Sequence, residues 1–135
     1  MRLEKLYEIT ERENIPVIPF KMQNKAIIGK INKRYCIGLN YSKIDSSVEE
    51  KELLAEELGH YYYDAFYDTS ANSATISQKE YRANKWKCTI LISINDFKEA
   101  FQKGLNTLHE IADYFSLSEN TVTFAYNYYK ENQYI

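Results

Sequence analysis

One short stretch of the chain places three chemically useful side chains within a single helical turn: Glu56, Glu57 and His60. Glu56 and His60 are four residues apart, so on a helix both project from one face, and Glu57 borders that face. Two carboxylates and an imidazole in this arrangement can bind a metal ion and move protons. Gly59 costs a helix interior about 1 kcal/mol relative to alanine, which indicates that something approaches the backbone closely here.

The sequence of residues 56–60 differs by one substitution from the zinc motif H-E-x-x-H. In that motif two histidines bind the metal and the glutamate is the general base. Glu56 stands where that motif has its first histidine. A carboxylate is also a zinc ligand, but its negative charge makes the metal a weaker Lewis acid and suits a harder ion somewhat better. The pattern therefore predicts Zn²⁺, or another divalent metal such as Mn²⁺.

A third ligand must come from elsewhere in the chain, and Glu80, near the start of the next predicted helix, is the candidate. Two helices packed antiparallel would let Glu80 face His60. The predicted metal ligands are Glu56, His60 and Glu80, with a water at the fourth position and Glu57 as its general base. A structural alternative is open, because Ser77-x-x-Glu80 is also a capping-box pattern that would use the same carboxylate oxygens.

The elements around these residues predict an α+β domain. Two β-branched, apolar runs between residues 26 and 39 are separated by Asn32-Lys33 at hairpin distance, which predicts a short antiparallel sheet. The outer strand of this sheet, Tyr35 to Asn40, would pair with an extended substrate. Periodicity and capping residues predict helices over 2–13, from Ser46 or Ser47 to about 64, and from Ser77, Ser93 or Asn95, Thr107 and Ser118, with a loop over 69–75.

Composition limits the class of protein. The chain has 135 residues, 44% of them hydrophobic, which is enough for one core. We predict a domain over 1–104 that carries the metal site, with a C-terminal helical pair, 105–135, packed on it. The net charge of -2 argues against binding nucleic acid or an anionic membrane by bulk charge, and no apolar run is long enough to span a bilayer. Cys36 and Cys88 form no disulfide framework, so a reducing cytoplasm is expected.

The chain resembles the ImmA/IrrE family of metallopeptidases over most of residues 15–130. The resemblance rests on the helix Leu54 to Tyr61, on Glu80-x-x-Ala83-Asn84-x-Trp86, and on the later segment Glu110 to Ser118. It implies a small zincin-like domain with a short sheet beside the active-site helix. It also implies a cytoplasmic endopeptidase that cleaves a repressor protein of a phage or mobile element.

Two other functions fit parts of the sequence. With Glu56 weakening the metal site, the same fold could bind a repressor without cleaving it. Residues 108–118 followed by a capped helix, Glu119 to Glu131, are also similar to a helix-turn-helix. Residues 105–135 carry one lysine and no arginine, so their charge argues against DNA binding. The apolar face with Val122 and Tyr129 is typical of a packing surface.

Several residues have structural alternatives to a role in the site. Glu56 and Glu57 could belong to a solvated acidic face that includes Glu49 and Glu52. Asp64 could orient His60 or lie exposed at a helix end, and Cys88 could be a ligand or a buried thiol. His109 is expected on the surface, Tyr61 and Tyr62 in the core and Tyr63 on the polar side. The oligomeric state is open.

Overall fold

The computed structural model describes residues 1–63 and 70–135. Along these residues, one α-helix precedes a small sheet and five α-helices follow it. The helices are α1 (Leu3–Arg12), α2 (Ser47–Tyr62), α3 (Ser73–Leu91), α4 (Ile94–Gln102), α5 (Leu108–Phe115) and α6 (Glu119–Glu131), and the strands are β1 (Val17–Pro19), β2 (Ala26–Ile31) and β3 (Arg34–Leu39). The predicted α+β class is confirmed. Among these elements no helix is long and apolar enough to cross a membrane.

The sheet has the order β1-β3-β2, so β3 is the central strand. β2 and β3 form the predicted antiparallel hairpin, whereas β1 pairs with β3 in parallel, which makes the sheet mixed. The prediction that Tyr35 to Asn40 is an outer strand is therefore wrong. Prolines at 16 and 19 hold the segment that contains β1 extended. This segment pairs with the edge of β3 that was expected to be unpaired.

The hairpin turn consists of Asn32 and Lys33, both with positive φ, 52° and 69°. Two residues with positive φ give the type I′ geometry that matches the twist of the flanking strands. The register pairs Ile28 with Ile37 and Ile27 with Gly38. Ile28 and Ile37 pack in or against the core, while Ile27 faces outward.

Helices α2 and α3 run in opposite directions against each other. His60, near the end of α2, lies beside Glu80 in the first half of α3, and Glu52, near the beginning of α2, is close to Cys88. Ser46 caps α2 by accepting a hydrogen bond from the Glu49 N–H at 3.1 Å. The helix ends at Tyr62, and the predicted end near residue 64 lies outside the described residues.

Helix α3 begins one turn earlier than predicted. Its N-cap is Asn72, whose side chain accepts a hydrogen bond from the Thr75 N–H at 2.8 Å. The prediction that Ser77 caps this helix and that a loop extends to residue 75 is wrong, because Asn72 is an equally good cap and five more residues accept helical geometry. Glu80 thus lies inside the helix, away from any capping box at its start.

The C-terminal helices share the core of the rest of the chain. Ser93 and Asp96 form a capping box at the start of α4, and Phe97 of that helix is 1% exposed. The Tyr129 hydroxyl of α6 donates a hydrogen bond of 2.7 Å to the Ile92 carbonyl. Val122 and other apolar residues of α6 are buried in the same cluster. The proposed division of the chain at residue 104 stays a prediction.

Candidate metal centre

Glu56, His60 and Glu80 come together between α2 and α3. One potential ligand atom from each lies within 4.8 Å of the others, and His60 Nε2 is 3.5 Å from a Glu80 carboxylate oxygen. His60 is buried, whereas the two glutamates are partly exposed. The i and i+4 spacing places the first two on one face of α2, and the antiparallel packing of α3 brings the third beside them.

Gly59 explains how α3 comes so close. A Cβ atom at this position would lie 3.1 Å from the Ala83 Cα and would overlap the Ala83 carbonyl oxygen. Only glycine fits at this point, so the backbones of α2 and α3 meet one residue from His60 and three residues from Glu80. The glycine in the helix interior, unexplained by helix propensity, therefore sets the distance between the two ligand-bearing helices.

Glu57 lies beside this group and contacts the sheet. Its carboxylate accepts a hydrogen bond from the backbone N–H of Ile28 in β2. Burial first, and then the charges of Glu56 and Glu80, raise the pKa of Glu57 to about 8 from its ordinary value of 4.5. Glu57 is thus a buried carboxyl with a strongly raised pKa next to the three-residue group, and shifts of this kind are common at functional sites.

The donor set fits a divalent cation. It offers two carboxylate oxygens and one imidazole nitrogen, a combination that zinc accepts and that manganese or iron also tolerates. Three glutamates, including Glu57, surround one imidazole here, and the charges of the other two add to burial in raising the pKa of Glu57. A cation would offset the repulsion between these charges, which is the reason to regard the group as more than an acidic surface.

Glu52, one turn before Glu56, is buried and was missed from sequence. Its carboxylate accepts hydrogen bonds of 2.7 Å from the Ser118 N–H and hydroxyl, and a further one from the Thr121 hydroxyl. The interpretation of Glu52 as part of a solvated acidic face is therefore wrong. It ties the helix that carries Glu56 to the start of α6. The N-cap predicted at Ser118 was the one sign of this contact in the sequence. No local pattern identifies Glu52 as the partner of Ser118, because the two residues are far apart in the chain.

An aromatic cluster lies beside the site on the α2 side. Tyr61 packs edge-on to Tyr35 of β3 at 5.1 Å between ring centroids, and Tyr62 stacks on Trp86 of α3 at 5.0 Å. Tyr61 packs against the core as predicted, and Tyr63 is exposed beside Lys85. The prediction that Tyr62 is a core residue is wrong, because 37% of it remains exposed.

The other candidates that the structure describes lie outside the group. Cys88 is 1% exposed, and burial raises the pKa of its thiol to about 11, so it is a buried thiol, and neither cysteine is in a disulfide. The His109 side chain is exposed and lies 3.8 Å from Glu119. Asp64 is outside the described residues. In α6, Val122 and Tyr129 are buried, so the apolar face of the possible recognition helix is a packing surface, as expected.

The described residues form a small α+β domain with a candidate metal site between two helices. The family model described as the IrrE N-terminal-like domain matches residues 10–127, most of the chain. The chain belongs to this family. None of the curated proteins and none of the solved structures with which it was compared matches it.

Proposed function

We propose that this protein is a metal-dependent endopeptidase that uses Glu56, His60 and Glu80 as metal ligands and Glu57 as general base. The observation that carries the proposal is the convergence of the three ligand groups directly beside a carboxylate with a strongly raised pKa. Membership in the IrrE N-terminal-like family supports metallopeptidase chemistry for this chain.

The three ligand residues and Glu57 have different roles in the proposed hydrolysis. A divalent cation bound to the three ligands would supply Lewis-acid activation of a peptide carbonyl and of a water molecule. Glu57 accepts the proton of the attacking water and delivers it to the nitrogen of the leaving amine. Glu57 must be ionised to accept that proton, and a cation held by the three ligands would lower its pKa from the value near 8.

The free edge of β2 is the proposed place for the substrate backbone. The Asn40 N–H donates to the Lys25 carbonyl, so these two residues form a hydrogen-bonded pair of the antiparallel ladder. Hydrogen-bonded and non-hydrogen-bonded pairs alternate along such a ladder, so the amides of 26, 28 and 30 point away from β3. Among the described residues no strand pairs with this edge. An extended peptide could therefore add to the sheet here, next to Glu57, which itself accepts the N–H of Ile28.

The substrate class and the compartment extend the proposal further. The family resemblance favours a repressor protein of a phage or mobile element, cleaved in the cytoplasm. Zn²⁺ is the proposed metal, with Mn²⁺ as the alternative that a second carboxylate ligand favours. The replacement of the usual histidine by Glu56 supports a second candidate, a protein that binds the repressor without cleaving it.

The test starts with the metal, before any substrate is known. Elemental analysis and metal titration of the purified protein should give one divalent ion per chain. His60→Ala should abolish this uptake, whereas Glu57→Gln should retain the metal and lose hydrolysis of a candidate repressor substrate. Glu49→Gln, on the same helix, is the control and should change neither property.

Each other outcome contradicts a defined part of the proposal. Protein that takes up no stoichiometric metal rules out the enzyme. Metal uptake with stoichiometric repressor binding that is unaffected by Glu57→Gln, and without cleavage, favours the binding module. Salt-sensitive affinity for duplex DNA would instead support the helix-turn-helix interpretation.

A further inference from the structure

The face of the sheet that points away from the core is apolar and exposed. Side chains alternate along a strand, so the neighbours of the core-packed Ile28 and Ile37 project to the opposite side. Four large apolar side chains lie on or beside this side, and they are between 41% and 60% exposed. We call this surface the outer sheet face; it is formed by Ile18, Phe20, Ile27 and Ile31 together with Gly29 and Gly38.

The outer sheet face has a hollow in its middle. A cavity of about 180 Å³ lies over the strands, lined by the isoleucines and by Gly29 and Gly38. A Cβ atom added at Gly29 would meet no atom within 4 Å, so the absence of a side chain there leaves open space above the backbone. The hollow has room for one large apolar side chain of another molecule.

Positive charge is concentrated in the same part of the chain. Residues 14–44, which include the whole sheet, contain six lysine or arginine side chains and no aspartate or glutamate, although the net charge of the chain is -2. Lys25 is paired with Glu49 at 2.9 Å. Lys21, Lys33 and Arg34 are exposed and form no ion pair with any described residue. Arg34 pairs with Ile31 in the register, which places it on the outer sheet face.

We propose that the outer sheet face binds an acidic, amphipathic segment of a partner protein. One apolar side chain of that segment occupies the hollow over Gly29, and acidic side chains face Lys33 and Arg34. Exposed apolar surface with a charged rim is typical of protein interaction sites, and the rim here selects a partner of opposite charge. This binding site is separate from the proposed peptidase site and does not depend on hydrolysis.

Other occupants fit the outer sheet face less well. A second copy in a two-fold dimer would place the cations of one face against the same cations of the other. A lipid surface favours protruding apolar side chains over a hollow between them. Single-stranded nucleic acid needs aromatic platforms, and Phe20 is the single aromatic residue on this face.

The test uses a synthetic helical peptide of about 18 residues, with leucines at i, i+3, i+4 and i+7 and glutamates elsewhere. It is carried out on the Glu57→Gln protein, so that a failure of the proposed peptidase function does not affect the result. We expect saturable binding by fluorescence anisotropy, with methyl resonance shifts confined to Ile18, Ile27 and Ile31. A peptide with lysines in place of the glutamates should bind at least about tenfold more weakly.

Gly29→Val is the decisive variant. It projects into the hollow, and it should leave the fold intact because a Cβ atom at this position meets no atom within 4 Å and valine favours a strand. We expect a loss of affinity for the acidic peptide of about tenfold or more. Leu108→Ser, which removes a similarly exposed aliphatic side chain from α5, is the control and should bind as before.

Four results would overturn the proposal. One is equal binding of the acidic and basic peptides, and another is unchanged affinity in Gly29→Val. The third is a concentration-dependent dimer in sedimentation that Gly29→Val abolishes. The fourth is binding of phosphatidylserine vesicles or single-stranded DNA through the same isoleucine methyl groups without binding of the acidic peptide.

Discussion

Gly59 of α2 lies against the backbone of Ala83 of α3, so closely that a Cβ atom at residue 59 would be 3.1 Å from the Ala83 Cα and would overlap its carbonyl oxygen. The contact lies one residue from His60 and three residues from Glu80. It fixes the separation of the two helices that carry all three candidate ligands. The contact is between backbones, so no side-chain rearrangement can accommodate a larger residue at position 59.

Gly59→Ala should therefore destabilise the protein despite the better helix propensity of alanine. Overpacking costs about 1–3 kcal/mol, against about 1 kcal/mol gained from propensity. The variant should also bind the metal more weakly, because α3 must move away from His60. Chemical denaturation without metal and a metal titration measure the two effects. Gly29→Ala is the matched control, since its Cβ meets open space, and it should change neither.

Glu56→His should strengthen the peptidase chemistry. A neutral imidazole in place of a carboxylate increases the Lewis acidity of the bound metal, so hydrolysis should begin at lower pH and proceed faster. The preference for Zn²⁺ over Mn²⁺ should rise by about tenfold or more. Rates across a pH series and competitive metal titration test this prediction. A variant that gains zinc preference but remains inactive would show that the missing histidine is not what limits catalysis.

Glu52→Gln should weaken the link between α2 and α6. The carboxylate accepts hydrogen bonds from the Ser118 N–H and hydroxyl and from the Thr121 hydroxyl. In glutamine one of the two oxygens is replaced by an NH₂ group, which is itself a donor and cannot accept these hydrogen bonds. A buried donor left without an acceptor costs about 1–3 kcal/mol, and the free energy of unfolding should fall by that amount. Glu99→Gln on the exposed side of α4 is the control. Equal stability of the two variants would contradict the buried network.

Cys88 should be unreactive in the folded protein at neutral pH. Burial raises the pKa of its thiol to about 11, so the reactive thiolate is scarce until the pH approaches that value. A thiol reagent at about pH 8 should modify only the partly exposed Cys36 in the native state and both cysteines in denaturant. Mass spectrometry of the labelled protein identifies the sites. Rapid native labelling of Cys88 would show that α3 opens at this position.

Local patterns predicted the parts of the site that lie on one element. The four-residue spacing of Glu56 and His60 follows directly from helical periodicity, and the hairpin follows from two apolar runs and a two-residue turn. Gly59 indicated a close backbone contact before its partner was known. In each case the determining interactions are between residues near each other in the chain.

The parts that the sequence did not predict depend on contacts between distant segments. β1 pairs with β3 in parallel, and no local pattern distinguishes this arrangement from an unpaired extended segment. Glu52 has the composition of a surface residue, and its burial depends on Ser118, far along the chain. Asn72 and Ser77 are both good N-caps, and packing of α3 on α2 decides between them.

The turn at Asn32 and Lys33 has a consequence for how this protein can vary in evolution. An insertion of one residue would shift β2 against β3 by one position and exchange its two faces. Ile27 would turn into the core, Ile28 would turn outward, and the amide that Glu57 now accepts would point at β3 instead. Substitutions that keep positive φ are tolerated there, but a change of length would alter the core, the outer sheet face and the contact of Glu57 with β2 together.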